Sequence, residues 1–387
     1  MNDLQLNEEY TLLKKSIRLF AEKEIEPFYE QWEKDGIIPQ QLWLKLGKAG
    51  FLCSDLEEQY GGLELPYRFS SVVVEVFSVL GYAALAVNLT VHSQIVAHYI
   101  ANYGTDEQKR RILPKMASGE VVGAIAMTEP GAGSDLQGIK ATATLQNEQY
   151  TLNGSKTFIT NGQSCDVLIV AAITNKEEKP SKGMSLFVLE DLETLTGFSR
   201  GRNLQKIGLH GCDTSELFFE NIVLEQSALL GEENEGFHYL MNQLPRERLT
   251  LAVCAQGAME GAMEQTIQYV QERTVFNQPL SKLQNTQFEI AEIATSCEVQ
   301  RRFIDYCISQ IEHNQLDTKT ASMAKLSTTE VQCKVIDRCL QLFGGYGYME
   351  EYPISRAFID ARVQRIYGGT SEIMKQIIGK SILNSTK

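Results

Sequence analysis

The chain has 387 residues, 43% hydrophobic and 22% charged, with a formal net charge of −13. That length exceeds what one hydrophobic core supports, so several packed units are expected. The acidic balance excludes a nonspecific nucleic-acid binder, which needs a basic surface to neutralise phosphates. A polar start, "MNDLQLNEEY", and no apolar run of membrane-spanning length predict a cytoplasmic protein without membrane insertion. The eight scattered cysteines and five separated histidines show no metal-ligand spacing, so no metal is expected.

Residues 1–120 read as a helical unit. "EYTLLKKSIRLFAEKEIEPFYEQWEK" repeats apolar residues at three- and four-residue steps, and "SSVVVEVFSVLGYAALAVNLTVHSQIVAHYIANYG" is apolar enough for helices buried on most sides. Residues 121–228 change character. "ATATLQNEQYTLNGSKTFITNG" alternates, with a hairpin turn expected at Asn153-Gly154, and "DVLIVAAIT", "MSLFVLE" and "SELFFENIVL" read as short strands. Nothing there alternates strand with helix, and "GAGSDLQG" does not fit a dinucleotide-binding glycine fingerprint. Residues 229–387 return to helical periodicity, with small residues in "LTLAVCAQGAMEGAMEQTIQYVQER" that permit close packing. Their long helices predict a four-helix bundle.

Four stretches could carry chemistry. "AMTEPGAGSD" (126–135) exposes backbone N–H groups and the hydroxyls of Thr128 and Ser134 in a tight loop, either a ligand cradle or a turn between units. "KTFITNG" puts Phe158 and Thr160 on one strand face, suiting a flat cofactor or an ordinary half-buried strand. "QLFGGYGY" breaks a helix at Gly344 and Gly345, as a C-terminal turn or a close backbone approach to a ligand. In "NQLPRERLTLAV", Pro245 suits the first turn of a helix, and Glu247 in that turn would favour the helix dipole. The turn "RIYGGTSEIM" looks ligand-facing yet offers only glycine where a reactive group would stand.

In this order, "AMTEPGAGSD", "LNGSKTFITNG", "LLGEENEGF", "RERL", "QLFGGYGYMEEYPISRAFIDAR" and "IYGGTSEIM" resemble the acyl-CoA dehydrogenase family from end to end. The resemblance implies a mainly α fold: an N-terminal helical domain, a central β-barrel-like domain and a C-terminal four-helix bundle. It implies FAD-dependent α,β-dehydrogenation of acyl-CoA thioesters to trans-2-enoyl-CoA in fatty-acid β-oxidation, with electrons passed to an electron-transfer flavoprotein. Many members carry their catalytic glutamate just after the Tyr of the last motif, where this chain has Gly368. A branch that includes the long-chain and isovaleryl enzymes takes the base from the start of the first bundle helix instead, which implies Glu247 here. The wording is nearest to the long-chain enzymes. Long- or medium-chain substrates are therefore expected, with short branched acyl groups as the alternative and an oxidase or monooxygenase on the same fold as a more distant one. A Pro-Gly pair of long-chain relatives is absent at Val87-Asn88.

By the family pattern, Ile125, Met127, Thr128, Gly133 and Ser134, together with Phe158, Ile159 and Thr160, surround the flavin. Thr370, Ser371 and Glu372 follow the FAD tail. Arg273, Phe276, Gln284 and the run Gln341, Leu342, Phe343, Gly344 and Gly345 contact FAD across a subunit interface, implying a homo-oligomer, usually a tetramer. Ser134, His238, Arg248, Gly368 and Gly369 meet the acyl-CoA. Asn277 stands where many relatives have glycine.

Overall fold

A computed structural model describes residues 3–384. Helices α1 (Asp3–Glu24), α2 (Tyr29–Asp35) and α3 (Gln40–Lys48) lead into the largely buried α4 (Tyr67–Val79) and α5 (Ala83–Leu89). The chain then passes through a π-helical stretch, Thr90–Val96, directly into α6 (Ala97–Tyr103). Periodicity predicts regular helix here. The wider winding changes which side chains of α6 face inward, and such segments recur at functional sites. Helix α7 (Asp106–Ser118) starts on a capping box. The Gln108 N–H donates to Thr105 Oγ1 (3.2 Å) and the Thr105 N–H to Gln108 Oε1 (2.9 Å), satisfying two donors the helix start would otherwise leave unpaired.

The central unit holds β1 (Gly123–Ala126), β2 (Thr142–Gln146), β3 (Gln149–Thr160), β4 (Val167–Ile173), β5 (Met184–Leu189), β6 (Phe198–Asn203), β7 (Thr214–Glu225) and β8 (Leu229–Leu230). They form one sheet in the order β6-β7-β3-β2-β4-β5-β8, with β1 parallel alongside β4. Side-chain alternation splits the sheet between two cores. Ile125, Ile169 and Val188 join the helical core, while Ala124, Leu168 and Phe187 join a separate core inside the curled sheet. Both faces are thus covered by protein, which is why "DVLIVAAIT" reads as a continuous apolar run.

The hairpin is not at Asn153-Gly154. Its two-residue turn is Asn147-Glu148, both at positive φ (48° and 65°), between paired Gln146 and Gln149, the geometry of a type I′ turn. Gly154 lies inside β3, where pairing with β7 slips register between Leu152 and Gly154. The glycine marks a bulge rather than a turn.

The third unit comprises α8 (Gly236–Glu272), the short β9 (Thr274–Val275) and β10 (Gln278–Pro279), α9 (Gln284–Glu312), α10 (Thr318–Phe343), α11 (Pro353–Ala361) and α12 (Ser371–Asn384). Helices α8, α9 and α10 pack side by side and α12 lies against α10, completing a four-helix bundle. Gly257 and Gly261 of α8 face α4 so closely that a Cβ at either would overlap the carbonyls of Glu75 and Val79. The small residues of the sequence therefore bring two backbones together.

Pro245 and Glu247 do not start this helix. It begins at Gly236, so both sit in its interior. Proline removes one helix hydrogen bond, but Gln243 and the unbroken buried run Glu247–Cys254 hold the segment in place by packing. Tertiary burial overrides the local helix-start signal. Among the described residues, no helix is long and apolar enough to cross a membrane.

Candidate active site

With the helix-start explanation gone, the placement of Glu247 needs another. Its side chain is buried at 4% exposure and accepts one hydrogen bond, from the Tyr99 hydroxyl at 2.9 Å. Burial pushes the carboxyl up to about 7, against the lowering effects of the Tyr99 hydrogen bond and the Arg248 charge. The neighbouring Arg246 gives no help, because its guanidinium bonds Asp55 and Gln94 and lies over the Tyr67 ring. Burial raises Asp55, but His98, 3.2 Å away, and Arg246 more than offset it and keep it ionised.

One turn further along α8, Leu251 meets the "IYGGT" loop. Gly368 sits at φ 63°, and a Cβ there would overlap Leu251 Cδ1. Gly369 follows at φ 99°, and its carbonyl accepts a 2.7 Å hydrogen bond from the fully buried Lys325. Burial, then repulsion from Arg248, lowers this lysine to about 8. The fold therefore brings Glu247, Arg248, Gly368 and Gly369 around one turn of α8.

A second group lies on the β-unit. Lys156, fully buried, donates to Glu129 Oε1 (2.8 Å) and to the Met127 carbonyl (3.1 Å), and the Thr157 N–H donates to the Thr128 carbonyl (2.9 Å). Glu129 also accepts the N–H groups of Lys140 and Ala141 (2.7 and 3.0 Å). These bonds root the 126–135 loop to β3 and leave Gly133 and Ser134 exposed at its tip. Phe158 is 67% exposed at φ 59°, in a bulge where β3 slips register against β7 between Lys156 and Ile159, and Thr160 is half-buried. Ile159 points the other way, into the β core, and Ile125 is likewise buried. Their side chains pack into the cores.

The third group lies at the far end of α8, about 38 Å from Glu247 at 1.5 Å per residue. Gln341, Leu342, Phe343, Gly344 and Gly345 line an open cleft with Arg273, whose guanidinium lies 5.3 Å over the Tyr346 ring. Gly344 (φ 60°) ends α10 and, like Gly345, has open space where a Cβ would be. Phe276 is 88% exposed, and Gln284 is the exposed first residue of α9. Phe276 and Asn277, at φ 49° and 62°, are the central pair of the β9–β10 turn. Asparagine tolerates that conformation, which accounts for its standing in place of glycine.

Elsewhere, Thr370 Oγ1 accepts the Ile373 N–H (3.3 Å) at the start of α12, and Ser371 donates to Glu330 (2.6 Å), leaving Glu372 exposed. His238 is exposed, its Nε2 3.0 Å from the Asn242 amide. Sequence reasoning missed Tyr99, Lys325 and the Asp55–His98–Arg246 cluster. Tyr99, His98 and Lys325 lie in apolar or small-residue runs where nothing local marks them, and Asp55 and Arg246 pair across 191 residues of sequence.

Comparison with known proteins decides what carries this arrangement. The N-terminal, middle and C-terminal domains of acyl-CoA dehydrogenase match residues 7–120, 124–222 and 234–383. The chain belongs to the acyl-CoA dehydrogenase family. It is 45% identical to the mitochondrial long-chain specific acyl-CoA dehydrogenase of Rattus norvegicus over 98% of this chain and 87% of that protein. A crystal structure of an acyl-CoA dehydrogenase from Geobacillus kaustophilus superposes with a TM-score of 0.94 at 46% identity, covering 97% and 98% of the two chains. A glutaryl-CoA dehydrogenase from Mycobacterium smegmatis, solved in complex with FADH2, gives 0.90 at 27% identity, covering 97% and 94%.

As an acyl-CoA dehydrogenase, the protein is an oxidoreductase acting on acyl-CoA, and its family consists of flavoproteins. The residues present fit such a cofactor. The rooted 126–135 loop has exposed glycines that admit close backbone approach, β3 ends in an exposed aromatic ring and a half-buried threonine, and the distal cleft has open glycines beside a cation.

Proposed function

We propose that this enzyme converts saturated acyl-CoA thioesters to trans-2-enoyl-CoA in fatty-acid β-oxidation, with Glu247 as the base. The observation that carries this reading is the buried Glu247 carboxyl at about 7, next to the Gly368 loop and without a direct ion-pair bond. A base poised near working pH combines proton affinity with a useful ionised fraction. Bound FAD supplies the hydride acceptor for the β-hydrogen. Glu247 takes the α-proton, and the remaining electron pair becomes the new carbon–carbon double bond.

A hydrogen α to a thioester is only weakly acidic, so charge developing on the thioester oxygen needs fixed donors. We assign the Gly368 N–H to that role. Lys325, holding the next carbonyl, fixes the peptide orientation. Thr128 and Thr160 would bond the flavin's polar edge, Phe158 would pack on it, and Thr370, Ser371 and Glu372 would follow its tail. Ser134, His238, Arg248 and Gly369 complete the acyl-CoA contacts. The acyl tail would run between the helices that carry residues 82–96.

Arg273, Phe276, Gln284 and the Gln341–Gly345 run lie at the end of α8 remote from Glu247, about 38 Å along the helix. We propose a homotetramer in which these groups serve a neighbouring copy. Reduced flavin would pass its electrons to an electron-transfer flavoprotein. Eight free thiols, seven of them buried, suit the reducing cytoplasm. Anaerobic titration with saturated acyl-CoAs of four to eighteen carbons tests the reading. Flavin bleaching with an optimum among medium or long chains is expected. An optimum at short branched chains would replace the substrate class, and no bleaching of the FAD-loaded protein would remove the dehydrogenase assignment.

A further inference from the structure

The base does not stand alone. Tyr99 is fully buried, and among the described residues its hydroxyl makes the sole hydrogen bond to the Glu247 carboxylate, at Oε1. It reaches that position from α6, on the far side of the π-helical stretch Thr90–Val96. Its ring is held by further aromatic contacts. Tyr103 lies 6.3 Å from it, Tyr239 of α8 stacks on Tyr103 at 4.0 Å, and the Gln243 amide donates to the Tyr103 hydroxyl at 3.3 Å. Tyr239 in turn accepts the Glu232 N–H at 3.0 Å. The row ties α6 to the α8 segment that carries the base.

We propose that Tyr99 is a positioning residue for the dehydrogenation: its O–H holds Glu247 Oε1, fixes the carboxylate rotamer and leaves Oε2 to take the substrate proton. The inference rests on the assignment of Glu247 as base. Burial, together with the Glu247 charge, drives the Tyr99 phenol well above its ordinary range. It therefore stays a donor at every working pH and never competes for the proton. A donor that stabilises the ionised form lowers a carboxyl's proton affinity, so Tyr99 holds in check the upward push of burial. The other charged group facing Glu247 is Arg248, on its own helix. Asp55, His98 and Arg246 engage one another, and Lys325 is bonded to Gly369.

The test is the pH profile of flavin reduction by a saturating acyl-CoA, in the FAD-loaded wild type and in Tyr99→Phe, with acyl-CoA affinity measured alongside. Tyr99→Phe keeps the ring and its packing. Its acid limb is expected to move up by about one pH unit, a tenfold smaller ionised fraction at pH 6. The rate recovers at alkaline pH and the affinity is little changed. Placing 3-fluorotyrosine at position 99 strengthens the donor in an unchanged fold, and must move the limb in the opposite direction. An unmoved limb in both variants, or a uniform loss at every pH, overturns the proposal. Glu247→Gln separates the two claims. If it stays inactive while the Tyr99 variants leave the limb unmoved, the base assignment stands and only the positioning role fails; if it reduces flavin at the wild-type rate, both fail.

Discussion

A carboxylate buried without a cation bonded to it is an expensive residue to keep, and Glu247 shows where the expense falls. Its folded proton affinity lies above the unfolded value, at about 7 against 4.5. The folded state therefore binds the proton more tightly than the unfolded chain. The resulting stabilisation is complete below about pH 4.5 and is lost as pH rises through about 7. Glu247→Gln, a neutral mimic, should accordingly stabilise the protein at pH 8 by up to about 3 kcal/mol, with the gain falling below about 1 kcal/mol at pH 5. Urea unfolding at the two pH values reads this directly; equal stability of the variant and wild type at pH 8 would mean that the carboxyl is not destabilised by its site. Gly368 supplies the complementary fact. Positive φ strains any side chain at this position, and a Cβ there would force the Leu251 side chain to shift, so glycine fits this backbone with least strain.

At the scale of elements, the β9–β10 hairpin holds the clearest tension between stability and use. Phe276 occupies a left-handed conformation that disfavours an aromatic residue by about 1–2 kcal/mol, and exposes its ring to solvent. If its purpose is to cover flavin bound by a neighbouring copy, Phe276→Gly should raise the melting temperature by a few degrees while lowering the flavin retained after gel filtration. Retained flavin equal to wild type would leave the exposed ring unexplained by the cofactor. The same scale shows what sequence could and could not convey. Three units, the strands of the middle domain and the close-packing glycines of α8 were legible because they follow periodicity and residue size. The hairpin turn was misplaced because Asn153-Gly154 satisfies the local turn rule better than Asn147-Glu148, and strand pairing overrides that local preference. Pro245 misled in the same way, since a helix start is a local signal and burial of the Glu247–Cys254 run is not. The π-helical stretch left no mark in a run that is apolar throughout.

Across the whole molecule, α8 acts as the ruler of the site. It carries Glu247, the proposed base, towards one end and reaches the Arg273 cleft about 38 Å away at the other. The proposed homotetramer, in which the Arg273 cleft serves flavin held by a neighbouring copy, predicts a light-scattering mass near four times 43.4 kDa, and a fully flavinated, active monomer would contradict the shared-site account. The candidate residues were legible as motifs, but Tyr99 and Lys325 were not, because their meaning comes from contacts across helices that are distant in sequence. Their discovery depends on the fold; the base itself depends on chemistry that can be timed. The most direct measurement is therefore stopped-flow reduction of FAD-loaded wild type and Glu247→Gln by the preferred acyl-CoA. The account predicts rapid bleaching of the wild type, and a variant that binds the same acyl-CoA yet reduces its flavin at least about a thousandfold more slowly. Reduction of the variant at the wild-type rate would contradict it.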